Sequence, residues 1–339
     1  MKAFLNLIFG LLCAALFLGC ADSQPDPTRV VLITDTHVIG PQYTEPHETP
    51  GVDNVSIFKT PERLARVIES INALRPAPKM VFVLGDVVHD AYHSHDFDWY
   101  LQNDSAFSVA RELFSELKVP VRFLFGNHDY EVNCEGDGSD SYSRELTARL
   151  FSEFFGANEY DAVQIGAWRF LLLNGQLGAT WEYGNASCGG SGPPIASFGA
   201  EQLAWVDTQL SDGKPSILLS HYIEPLLWSG GEFPDGPNRD LAQVLTRYDN
   251  DRALFAGHMH RWLDVPSESV GEQHVLAATR YDTDNFWLLE LDEDGESFEI
   301  LDYEKRINLS TCAKTYSYDS DPPMLNPDAE EMGDCVVGF

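Results

Sequence analysis

Five short blocks of this chain carry side chains that bind metal ions: Asp35-Thr36-His37, Gly85-Asp86, Gly126-Asn127-His128-Asp129, His221 and Gly257-His258-Met259-His260. Carboxylate, imidazole and amide groups are hard or borderline O and N donors, which suit Zn, Fe, Mn or Mg rather than a thiolate site. Two-metal hydrolytic centres hold their ions roughly 3.5–4 Å apart, so one ligand must be shared. Asp86, with two carboxylate oxygens, is the residue assigned to bridge. Such an ion pair acidifies a water and neutralises phosphoryl oxygens. An imidazole beside it, tuned near neutral pH, protonates a leaving oxygen, typically worth ~10²–10⁴-fold. Any one of these histidines taken alone reads as structural or solvated; the ordered set does not. Neither a Gly-x-Ser-x-Gly elbow nor a Walker-type phosphate loop is found in the chain.

Each block follows an apolar run that reads as a buried strand: Val30–Thr34, Met80–Leu84, Val121–Phe125, Ser216–Ser220 and Ala253–Ala256. Strand ends place otherwise free side chains on a rigid frame. Between the strands run amphipathic helices. Thr60-Pro61-Glu62 predicts a start with Thr60 as cap, and Leu64, Val67, Ile68, Ile71 and Leu74 repeat at helical spacing up to Pro76. Similar spacing marks Ala106–Leu117, Ser143–Phe155 and Ala200–Leu210. Asp161–Gln164 with Trp168–Leu173, and Phe286–Leu291 with Ser297–Tyr303, predict hairpins. Alternating βα units followed by hairpins imply an α/β (α+β mixed) fold with mixed sheets.

The set Asp-x-His, Gly-Asp, Gly-Asn-His-Asp, His, Gly-His-x-His, spanning Asp35 to His260, resembles the calcineurin-like metallophosphoesterases. The resemblance implies a four-layer αββα sandwich, two facing mixed sheets with helices outside and long loops at the active site. It implies that Asp35, His37 and His260 hold one ion and Asn127, His221 and His258 a second, with Asp86 between them. It further implies hydrolysis of phosphate mono- or diesters by a metal-bridging hydroxide. His128 would contact the phosphoryl group or protonate the leaving oxygen, and Asp129 would orient His128 by a hydrogen bond. His89, three residues after Asp86, stands where a purple acid phosphatase carries its metal-binding Tyr; it reads as touching substrate or backing a ligand. His93 and His95 extend it to a run without the spacing of any regular element, and His47 and His274 read as structural or solvated.

Lys2, the apolar stretch Ala3–Leu18 and Phe17-Leu18-Gly19-Cys20 read as an export signal over residues 1–19 that ends in a lipobox, with Cys20 as the lipidated residue. About 16 apolar residues are short for a membrane span. Residues 20–28 then form a tether, 29–304 the catalytic domain and 305–339 a C-terminal tail. The expected location is outside the cytoplasm, on a membrane through the lipid alone. Cys134, Cys188, Cys312 and Cys335 are an even number in an exported chain, which suggests disulfides, Cys134–Cys188 and Cys312–Cys335 being favoured over free thiols. The formal net charge of −31 opposes binding to nucleic-acid backbones or anionic lipid surfaces.

Long runs after the blocks (Gly40–Lys59, His89–Ser105, Tyr130–Asp140, Gly175–Ser197, Ile223–Asn238) start around the metal rim and are placed to shape a pocket for a phosphorylated small molecule or a phosphodiester. A non-catalytic surface lipoprotein that captures phosphorylated ligands is the rival reading, but a binder has no need of an acid at His128.

Overall fold

The computed structural model describes residues 27–44, 57–130, 144–177, 198–223, 237–260, 262–265, 269–281 and 285–302. In chain order the elements are β1 (Thr28–Ile33), α1 (Thr60–Ala73), β2 (Met80–Leu84), α2 (Phe97–Gln102), α3 (Ala106–Ser115), β3 (Val121–Leu124), α4 (Arg144–Phe155), β4 (Asp161–Ile165), β5 (Trp168–Leu172), α5 (Gly199–Leu210), β6 (Ser216–Leu219), α6 (Pro237–Leu245), β7 (Asp251–Ala256), β8 (Leu263–Asp264), β9 (Gln273–Val275), β10 (Trp287–Leu291) and β11 (Phe298–Leu301).

They form two mixed sheets, ordered β11-β10-β1-β2-β3 and β4-β5-β6-β7-β9-β8. In the first, β1, β2 and β3 are parallel and the β10–β11 hairpin adds antiparallel at β1. In the second, β5, β6, β7 and β9 are parallel, flanked by antiparallel β4 and β8. Successive side chains of a strand point to opposite faces, and that alternation makes the layers. Val30, Leu32, Phe82 and Leu84 meet Phe170, Leu219 and Phe255 between the sheets. Val31, Ile33, Val81 and Val83 face outward onto Leu64, Ile68, Phe107 and Phe151 of the helices. On the far side, Leu171, Leu218 and Leu254 pack on Leu203, Val206 and Leu241. Each fully buried Val, Leu or Phe contributes about 1.5–3 kcal/mol, so both faces of these strands hold the layers together. The four layers are those expected.

Local chemistry departs from expectation in places. Thr60 does not cap α1: the cap position is Lys59, which makes no side-chain capping bond. The Thr60 hydroxyl instead lies 2.9 Å from the carbonyl oxygens of both Ile57 and His37, so it ties the helix to the loop after β1. The run His89–Ser105 holds α2, whose cap is Asp96 accepting from the Asp98 N–H at 3.0 Å. The short β8–β9 pair and α6 were likewise not read from the sequence. Residues 1–19, Cys20, the favoured disulfide cysteines (Cys134, Cys188, Cys312, Cys335), His47 and the tail 305–339 lie outside the described residues. Among those described, no helix is long and apolar enough to cross a membrane.

Candidate metal centre

All five blocks arrive at one edge, where β1, β2, β3, β6 and β7 end. A backbone ladder continues past the strands and fixes the loops: Asp35 N–H donates to Gly85 O (3.1 Å), His37 N–H to Asp86 O (2.9 Å) and Gly257 N–H to His221 O (3.0 Å). Two more bonds join the sheets, from Thr279 N–H to Thr34 O (2.9 Å) and from Arg280 N–H to Asp35 O (3.1 Å).

The chain bends sharply at the ligands themselves. Asp35 (φ 52°), His37 (45°), Asp86 (49°), His258 (69°) and His260 (54°) all sit in the left-handed region. Such backbone costs of order 1–3 kcal/mol per residue and persists where its surroundings hold it. Here it turns side chains from successive strand ends toward one point. Glycine is required where loops touch. A Cβ on Gly126 would overlap the Asp86 backbone N and carboxylate, and one on Gly257 would overlap the Thr34 hydroxyl and the Asp35 carboxylate.

Two groups result. In the first, Asp35, His37, Asp86 and His260 bring one ligand atom each within 4.8 Å of one another; in the second, Asp86, His221 and His258 do so. The atom common to both is Asp86 Oδ2, 3.6 Å from His37 Nε2 and 3.2 Å from His221 Nε2. Its other oxygen, Oδ1, accepts the His128 N–H at 2.8 Å. His260 Nε2 lies 3.1 Å from Asp35 Oδ1 and 3.2 Å from His37 Nε2. Asn127 Oδ1 lies 3.1 Å from His221 Nε2 and 2.9 Å from His258 Nδ1, which adds the amide to the second group.

The donor set suits cations. Asp35, His37, Asp86 and His221 are at most 1 % exposed. Burial opposes charge on Asp86, but His221 and His128 hold its carboxyl well below the usual range. Burial, then Arg280, pushes His37 well below its ordinary value; burial, then His221, pushes His258 to about 3. His221 is the exception: burial opposes its charge, yet Asp86 and Asp35 raise it to about 9. Ionised carboxylates among imidazoles that mostly keep their lone pairs are what hard and borderline divalent ions require. Supporting groups fix which nitrogen faces inward. His221 Nδ1 lies 2.8 Å from Leu84 O and His260 Nδ1 lies 3.3 Å from the Tyr281 hydroxyl. The Thr34 hydroxyl donates to Asp35 Oδ2 at 2.7 Å.

His128 stands beside the first group, its ring centroid 4.8 Å from His37 and stacked on His89 at 4.9 Å. Burial and Arg280 lower its pKa, against the pull of Asp86. Asp129 does not orient it. Its Oδ1 accepts from Val87 N–H (2.9 Å) and Val88 N–H (3.1 Å), and its Oδ2 from Gly126 N–H (2.8 Å). The expected partner is therefore replaced by three backbone donors, and Asp129 clamps the loops after β2 and β3 together. His93 and His95 belong to none of the candidate groups, and His274 pairs with Asp264 (2.7 Å) and Glu272 (3.2 Å) on β9.

Sequence reasoning missed Thr34, Tyr281 and Arg280, and it read Thr60 only as a helix cap. Thr34 was adjacent to a ligand and so within reach of inspection. Tyr281 and Arg280 carry no local signal, since they reach the site only through the bonds of residues 279–280 to 34–35. Arg280 is 4 % exposed, its guanidinium 5.0 Å above the Tyr281 ring.

The family described as calcineurin-like phosphoesterase matches residues 28–262. The 3',5'-cyclic adenosine monophosphate phosphodiesterase CpdA of Escherichia coli (strain K12) is 24% identical over 70% of this chain and 71% of its own length. The glycerophosphodiester phosphodiesterase GpdQ of Enterobacter lignolyticus is 26% identical over 67% of this chain and 69% of its own. In fold, the chain is similar to a dimetal phosphatase from Danio rerio, with TM-score 0.55 and 15% identity over 82% of this chain and 99% of that one.

Proposed function

Since this chain belongs to the calcineurin-like phosphoesterases, hydrolases of phosphoric ester bonds, we propose that it cleaves small, soluble phosphodiesters in a two-metal site. The observation that carries the two-ion reading is Asp86 Oδ2, common to two groups of mostly buried ligands. Support for diesters comes from the two relatives above, both named phosphodiesterases.

Asp35, His37 and His260 would hold one ion and Asn127, His221 and His258 the other, with Asp86 shared. When bound, the ions would supply Lewis acidity to the phosphoryl oxygens and lower the pKa of a water. The protein's own part is positional and protic. His128, its backbone N–H held on Asp86 Oδ1, would as imidazolium pass a ring proton to the leaving alkoxide oxygen and be left as neutral imidazole. Asp129 keeps the two loops in register, while Thr34 and Tyr281 hold Asp35 and His260. Arg280 adds buried positive charge where a −31 chain must admit an anion. Export and lipid anchoring at Cys20 complete the proposal; Lys2, the apolar run to Leu18 and the Phe17-Leu18-Gly19-Cys20 sequence support them.

The test compares bis-aryl and mono-aryl phosphates, cyclic nucleotides and glycerophosphodiesters on protein loaded with Mn, Zn or Fe. Diester turnover should dominate, and His128→Asn should cut kcat by about 10²–10³ with two ions still bound. Exclusive monoester turnover, or undiminished turnover by the variant, would refute the reading. Release of the Cys20→Ser protein from membranes tests the anchor.

A further inference from the structure

Beside the two candidate groups lies a contact that the reaction outlined above does not use. His37 Nδ1 is 3.2 Å from His89 Nδ1. The position is built by the backbone, not by chance rotamers. Beyond β1 and β2 the ladder continues with Val38 N–H to Val87 O (2.9 Å) and His89 N–H to Val38 O (3.0 Å), and Val38 and Val88 form a parallel bridge. His89 is thereby set against the side of His37 that faces away from Asp86. Its ring also stacks on His128 at 4.9 Å and meets Tyr43 edge-on at 5.9 Å.

A neutral imidazole has one lone pair and one N–H. His37 Nε2 lies among Asp35 Oδ1 (3.9 Å), Asp86 Oδ2 (3.6 Å) and His260 Nε2 (3.2 Å). If its lone pair serves an ion there, the hydrogen must be on Nδ1, and the facing atom must accept it. We propose that His89 is a positioning residue for His37: its Nδ1 accepts the His37 Nδ1 hydrogen, fixing the tautomer that presents Nε2 to the first ion. The same bond holds His89 flat against His128, so one side chain sets both a ligand and the imidazole at the leaving-group side. His37, His89 and His128 also form a group whose ring nitrogens lie within 4.8 Å, but His37 cannot give a second lone pair to another ion. A hydrogen bond, rather than a third metal, is therefore what this contact supplies. The inference rests on the two-ion reading and is separable from it.

The experiment titrates chelator-treated full-length protein with Mn²⁺, counting free ion by electron paramagnetic resonance. Wild type, His89→Asn and His89→Leu are compared. The Asn side-chain oxygen can take the Nδ1 hydrogen; Leu cannot. Wild type should bind two ions. His89→Leu should weaken one of the two by about 10–100-fold, and His89→Asn should stay within about threefold of wild type. Far-UV circular dichroism and melting of the metal-free proteins should be alike. Wild-type-like binding by His89→Leu, equal losses in both variants, or a third ion lost with His89 would each overturn the assignment. A wild-type chain that takes up no ions would overturn the two-ion reading and this one together.

Discussion

Asp251 opens β7 at the end away from the metal ligands, and it is built to resist ionisation. The residue is 6 % exposed, and its Oδ2 has no hydrogen-bond partner among the described residues. It lines an open cleft of about 490 Å³ with Asp249, Arg252 and Glu272. Burial raises its pKa from 3.8 to about 7; its own backbone N–H and Arg252 oppose the rise and Asp249 adds to it. The sign follows from linkage. Below 3.8 the carboxyl is protonated in folded and unfolded chains alike and costs nothing. As pH climbs from 3.8 to about 7 the unfolded chain loses the proton while the folded chain keeps it, so stability falls across that window and stays low above it. At about 1.36 kcal/mol per tenfold in proton affinity, the full interval is worth about 4 kcal/mol. Solvent in the open cleft screens the charge, which reduces this to about 2 kcal/mol. Asp251→Asn keeps the shape and removes the titration. At pH 8 the variant should be more stable than wild type by about 2 kcal/mol, and at pH 4 equal within about 0.5 kcal/mol. Urea midpoints at fixed metal loading read the difference. Six residues of strand, roughly 20 Å, separate Asp251 from the site, so phosphoester turnover should not change. A difference between the two proteins that is the same at pH 4 and pH 8 would refute the argument.

The site itself yields further expectations. Gly257→Ala places a Cβ on the Thr34 hydroxyl and the Asp35 carboxylate, and should lower affinity for one ion at least tenfold with little loss of helix by circular dichroism. Asp129→Asn turns one of three accepted backbone hydrogen bonds into a donor facing a donor; a buried donor left without a partner costs about 1–3 kcal/mol, so the folded state should lose about 1–3 kcal/mol, read from urea midpoints. For an anionic diester, kcat/KM should rise severalfold between about 0.01 M and 0.15 M salt as the repulsion of a −31 chain is screened; a flat or falling curve counts against it.

What the sequence made legible was whatever is encoded in side-chain chemistry and period. Val30–Ile33 and Met80–Leu84 are apolar on both faces because both sheet faces are covered, and a His or Asp following such a run must emerge at the sheet's edge. The five blocks could therefore be named from type and order, the resemblance picked Asp35, His37, Asp86, Asn127, His221, His258 and His260 within them, and their convergence is found. What was not legible is encoded in backbone direction and distant contact. The left-handed turns at Asp35, His37, Asp86, His258 and His260 are imposed by cross-strand hydrogen bonds, and no local propensity announces them. Tyr281 and Arg280 enter through two amides that bond to Thr34 and Asp35, a pairing 245 residues apart in sequence.

Asp129 shows the difference most sharply. The family resemblance implied that Asp129 orients His128, yet these neighbours at a tight turn point apart. The 3₁₀ turn His128–Tyr130 sends His128 to the metal ligands and Asp129 inward to Val87, Val88 and Gly126. The consequence is mechanical. Asp86 and His128 lie on separate loops, joined directly by one N–H to carboxylate bond, and Asp129 ties those loops at two other points, Val87 and Val88, while its third bond, from Gly126, braces its own loop. Moving one loop away from the other must break the bonds from Val87 and Val88 to Asp129 as well as the one from His128 to Asp86. If His128 is the acid and Asp86 the shared ligand, loss of this buried carboxyl should lower turnover through geometry even where both ions remain.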